Sequence, residues 1–171
     1  MRASRRGLLV ALVHVALVLA VAGTLVYERA TLPRAWVESA GADPDLPIRG
    51  RYVALNLLFP PASDIGRGSE PGSSAVGRLV VRGDRAFAAA HPADDGPRGS
   101  DGMRFSLAGT ADDPRWMLAR PVAFFLPQHA PDPTRGAQPG ELWVEVTIPR
   151  AGPPRPIRLG VLRDGAIRPL P

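Results

Sequence analysis

Cysteine and lysine are both absent from this chain of 171 residues, and aromatic residues make up only 6% of it. Without cysteine there is no disulfide framework, thiol nucleophile, zinc ribbon or lipidated cysteine anchor. Without lysine there is no Schiff base, no Ser–Lys dyad and no phosphate-loop lysine. All 21 basic side chains are therefore arginine, set against 16 acidic ones. Histidine is scarce too, with three in the chain. Few groups remain that titrate near neutrality or ligate a metal. The reading is a protein without a catalytic constellation, cofactor or metal: not an enzyme.

The net charge of +5 is concentrated at the start, where Arg2, Arg5 and Arg6 supply three units of it. No arginine-rich helix interleaved with stacking aromatics follows, so the high isoelectric point does not imply nucleic acid as a partner. Residues 7–27 carry no formal charge. As a helix rising about 1.5 Å per residue they span about 30 Å, the thickness of a bilayer core. Tyr27 stands at the far end, where an amphipathic ring suits the interface. The arginines before the span put residues 1–6 in the cytoplasm, by the positive-inside rule. The expected location is the inner membrane, crossed once, with the rest of the chain extracytoplasmic or periplasmic. A cleaved leader is the rival reading: residues 8–19 would form its apolar core and Ala20-Val21-Ala22 its small-x-small site. The apolar run continues past that site through Leu25, Val26 and Tyr27, which favours an uncleaved anchor in the lipid bilayer.

Inside the span, His14 is a polar side chain at membrane depth. Ala16, Ala20 and Thr24 recur every four residues, a small-residue stripe on which another helix can pack. These four residues are the candidate intramembrane contacts.

Residues 28–34 read as a juxtamembrane connector, and residues 35–171 as one extracytoplasmic β-rich domain. The 18 glycines and 20 prolines punctuate short extended segments. Strands are expected over residues 35–38, 52–59, 78–81, 85–90, 103–107, 116–126 (bent at Pro121), 141–148, 157–162 and 166–170. In residues 52–59, Val53, Leu55, Leu57 and Phe59 fall on one face by period two. Leu142, Val144, Val146 and Ile148 do the same. Gly83-Asp84 and Asp164-Gly165 are hairpin turns. Residues 63–77, 91–102 and 127–140 read as loops. The fold class is all-β or β-rich, sandwich-like or a small barrel, behind a single transmembrane helix.

Candidate chemistry in this domain is thin. His91 and His129 have no second histidine at ligand spacing. Ser73, Ser74 and Ser100 lack a Gly-x-Ser-x-Gly elbow. Asp94-Asp95, Asp101 and Asp112-Asp113 lack the alternating calcium loop. Trp36, Trp116 and Trp143 are the candidates for stacking against a small ligand or glycan.

Residues 43–57, which include Asp43-Pro44-Asp45 and Arg49-Gly50-Arg51-Tyr52-Val53-Ala54-Leu55-Asn56-Leu57, resemble the signature of the GDYxxLxY-domain proteins. Gly50, Tyr52 and Leu55 fall on the matching positions. Arg51 replaces that motif's Asp and Leu57 its final Tyr. Val122-Ala123-Phe124-Phe125-Leu126-Pro127 is similar to the family's aromatic strand, and residues 159–170 to its closing hairpin. The resemblance implies a small bacterial envelope protein, tethered by one helix, that accompanies an integral, multi-pass membrane protein. It carries over no catalytic residue. Arg49, Gly50, Arg51, Tyr52 and Leu55 form the motif and a candidate interaction surface, with Leu55 turned to the core and Tyr52 outward. Three functions are therefore open: an accessory of a membrane protein, a small-ligand binding or sensing module, and a Ser–His hydrolase.

Overall fold

A computed structural model describes residues 5–42, 52–63, 70, 72–92, 102–110, 112–127, 133 and 138–170. The chain divides into two compact units, residues 1–32 and residues 33–171. The first is a helix, α1 (Arg5–Thr31). It runs four residues past the expected end of the span, so residues 28–31 are helical rather than connector. Within it, Gly7–Glu28 is long and apolar enough to cross a membrane. The apolar side chains cover the whole circumference of the helix rather than one stripe.

The second unit consists of ten strands: β1 (Arg34–Ala42), β2 (Tyr52–Phe59), β3 (Ser74–Arg82), β4 (Arg85–Pro92), β5 (Met103–Gly109), β6 (Pro114–Leu118), β7 (Val122–Phe125), β8 (Leu142–Thr147), β9 (Arg155–Arg163) and β10 (Ala166–Pro169). The sheet order is β10-β9-β8-β1-β4-β3-β5-β6-β2-β7, and β1 also pairs with β2. That last pairing closes β1-β4-β3-β5-β6-β2 into a six-stranded barrel. The β-rich class and its barrel-like form are as expected.

β1 makes the closure possible because it serves three neighbours. Residues 34–38 run antiparallel to β8, Trp36 meets Arg85 of β4 in parallel, and residues 38–42 run antiparallel to β2. A second parallel bridge, Pro61 with Ala88, ties the end of β2 to β4. β6 and β7 both pair with β2, offset by two residues across Ala119-Arg120-Pro121. They are one extended stretch broken at the expected proline, which cannot donate to a ladder.

The core follows the period-two pattern. Leu55, Leu57 and Phe59 of β2 are fully buried, with Phe105 of β5 meeting Phe59 edge-on, ring centroids 6.1 Å apart. Against these rings β4 presents only Ala86, Ala88 and Ala90. Small side chains opposite large ones let a narrow barrel fill without voids. Leu142, Val144, Val146 and Ile148 are buried on one face, as their alternation implied. Asp164 (φ 53°) and Gly165 (φ 76°) form the β9–β10 turn with two positive φ values, the type I′ geometry that Asp-Gly favours.

Three expected boundaries are corrected. Residues 74–77 and 91–92, read as loop from their composition, are strand. β3 pairs from Ala75 to Arg82 with β4, and from Ser74 to Gly77 with β5. Two flanking ladders hold this Gly- and Ser-containing stretch extended despite its low strand propensity. β1 likewise continues past Glu38 to Ala42, because β2 supplies a partner for each of those residues. Most of the remaining expected loop residues lie outside the described ones.

Candidate functional site

On β1, Ala35, Val37 and Ser39 turn inward and are buried, so Trp36 and Glu38 face out. β8 offers Trp143 and Glu145 to the same outer face, and β9 offers Arg158 and Gly160. Gly160 lies under Trp36: a Cβ there would sit 2.9 Å from the indole and 2.8 Å from Ile167, so only glycine leaves room for the ring. The Arg158 guanidinium stands 5.4 Å from the Trp36 ring centre and donates its Nε–H to the buried Glu145 carboxylate. Arg85 of β4 stacks 4.1 Å above Trp143, whose indole N–H is fixed by the Gly140 carbonyl at 2.9 Å. Across the four strands β9, β8, β1 and β4 two arginines thus flank two tryptophans, each guanidinium lying on a π face.

Where β4 and β2 part along β1, a cleft of about 190 Å³ opens between Trp36, Glu38, Arg85, Phe87, Arg115 and Trp143. Glu38 and Arg115 form one wall, 3.5 Å apart, and Arg115 also reaches Asp113 at 2.9 Å. Its acid is thus already paired. The volume is below the roughly 300 Å³ of a small-molecule pocket. It has room for a single planar or apolar side chain.

A larger groove of about 520 Å³ runs between β7 and β9, lined by Phe124, Phe125, Leu126, Ile157, Leu159 and Val161. Phe125 is 75% exposed, the one large apolar side chain so exposed among the described barrel residues. Its ring lies 6.2 Å from that of Tyr52, tilted by 56°.

The motif residues divide accordingly. Leu55 is fully buried and Tyr52 half-buried, so their opposite parity holds. Arg49, Gly50 and Arg51 lie outside the described residues. Trp36 and Trp143 come together in the cleft, but Trp116 does not join them. It pairs with Phe59 and Leu107 on the inside of the barrel and is 3% exposed, which removes it as a ligand platform. Its indole N–H has no hydrogen-bond partner among the described residues.

On α1, the His14 Nδ1 lies 2.8 Å from the Val10 carbonyl oxygen, a bond that requires the proton on Nδ1. The Thr24 hydroxyl donates to Ala20 at 2.9 Å. The helix backbone thus satisfies a polar atom of each, leaving Ala16, Ala20 and the imidazole edge for any neighbour. Elsewhere Ser73 donates its hydroxyl to Glu70 in a turn at 2.6 Å, Ser74 and His91 are exposed on strands, and Asp112 and Asp113 sit in the β5–β6 hairpin. Ser100, His129, Asp94, Asp95 and Asp101 lie outside the described residues. No group of three or more potential metal ligands occurs among the described residues.

The cleft was not legible as a unit in the sequence, since Glu38, Arg85 and Arg115 are brought together by non-local pairing alone. No protein-family model, curated protein or solved structure matches this chain.

Proposed function

We propose that this chain is a membrane-anchored protein of the cell envelope that acts without catalysis, as an accessory of an integral, multi-pass membrane protein. α1 crosses the inner membrane once, with its N-terminus in the cytoplasm and the barrel on the other side. One observation carries the reading: the large apolar side chains of α1 from Leu8 to Tyr27 are each 51–69% exposed. Burying such side chains stabilises by about 1.5–3 kcal/mol apiece, so a sleeve of this length requires lipid or another helix around it. The Phe125 groove beside Tyr52 offers the barrel a further apolar contact. The test is purification of the full chain in mild detergent. A multi-pass protein co-purifies, and is lost when residues 7–27 are exchanged for an unrelated apolar span. A lone monomer with the native span intact contradicts the proposal.

A second reading, an extracytoplasmic small-ligand module, is favoured by the volume of the same groove, which lies within the range of small-molecule sites. A panel of apolar ligands that raises the melting temperature of the wild type, but not of Phe125→Ala, supports it.

A further inference from the structure

The outer face of β1, β8 and β9 is basic as well as aromatic. Register sets Arg34, Thr147 and Arg155 in one row across the three strands, and Trp36, Glu145 and Arg158 on neighbouring positions of the same face. Arg150 lies in the turn that joins β8 to β9 and is exposed. The β3–β4 hairpin is drawn to the same place, because Trp36 donates its backbone N–H to the Asp84 carbonyl at 2.7 Å. That hairpin adds Arg82 and Arg85, which pair across it. Six arginines therefore gather around two tryptophans, against Glu38, Asp84 and Glu145; Glu145 is already bonded to Arg158 and Glu38 to Arg115. Only Leu32 and Pro33 separate α1 from β1 along the chain.

We propose that this basic, tryptophan-bearing face docks on an anionic phospholipid surface. The proposal rests on the reading of α1 as a membrane anchor. Charge complementarity identifies the partner: guanidinium forks match phosphate oxygens, and tryptophan suits the headgroup layer. The two-residue spacing means that a bilayer holding α1 is within reach of the strand that carries Arg34 and Trp36.

The chain has no cysteine of its own, so single labels can be placed at will. Full-length Ala151→Cys, in the β8–β9 turn, is dye-labelled and reconstituted in vesicles carrying an acceptor on the lipid headgroup. Ala166→Cys, at the start of β10, is the reference, since β9 is nine residues long and spans about 30 Å. Energy transfer at Ala151→Cys rises when phosphatidylglycerol replaces part of the phosphatidylcholine and falls in high salt, whereas Ala166→Cys is unchanged. Each Arg→Gln substitution lowers the docked-to-undocked ratio about fivefold. Combined substitution of Arg34, Arg150 and Arg155 lowers it about a hundredfold, and the exposed Arg82→Gln and Arg150→Gln single variants serve if that triple variant fails to fold. Transfer that ignores lipid charge overturns the proposal and leaves this face to an acidic protein. Flotation of the chain with both vesicle types in high salt reports on the anchor separately, so a failed anchor and a failed docking face give different results.

Discussion

Leucine has opposite surroundings in the two units of this chain. On α1, Leu8, Leu12 and Leu19 are each about two-thirds exposed, whereas Leu55 and Leu57 of the barrel are not exposed at all. In β2 the apolar residues alternate and the fold sorts them inward. In α1 they surround the helix, so no packing within that unit can cover them. The barrel builds its own dry interior, and the helix covers none of its apolar surface within its own unit.

Breaking the barrel's side of this contrast has the largest expected effect. Phe59→Ala removes a fully buried ring and its edge contact with Phe105, and costs about 3–5 kcal/mol. Denaturant unfolding of the full chain in detergent measures it. The helix's side comes next. Leu17→Arg puts a charge in mid-span and disfavours membrane insertion by about 3 kcal/mol. Alkaline extraction of membranes should release part of the variant, while barrel unfolding stays unchanged. The smallest effect sharpens the barrel interior. Trp116→Phe removes an indole N–H that has no partner among the described residues, together with some apolar area, terms of about 1–3 kcal/mol each that oppose one another. The midpoint should move by less than about 1 kcal/mol, whereas a loss near that of Phe59→Ala would mean that the indole nitrogen is bonded after all.

What the sequence disclosed tracks how local each feature is. The apolar run of α1, the alternation of β2 and β8 and the Asp164-Gly165 turn depend on neighbours a few residues away, and all are legible. The bend at Pro121 is legible for the same reason. The reach of β1 to Ala42 and the start of β3 at Ser74 are not, because partner strands rather than propensity hold them extended. Closure of the barrel is hidden as well, since it depends on one strand serving three partners. The tryptophans show the limit most clearly. Trp36, Trp116 and Trp143 are equivalent by composition, yet two face outward beside arginines and one faces inward among phenylalanine and leucine. Which is which follows from strand parity and pairing. Much of the motif around Gly50 lies outside the described residues, so Tyr52 and Leu55 alone connect it to the fold.

Site-specific labelling tests the proposal that α1 spans a membrane with the barrel on the far side. Full-length Ala166→Cys is expressed in a bacterium with its outer membrane removed and treated with a membrane-impermeant maleimide. The expected result is a cysteine modified in intact cells, in a protein that stays in the membrane fraction after alkaline extraction. Modification only after lysis, or release of the chain at alkaline pH, would contradict it.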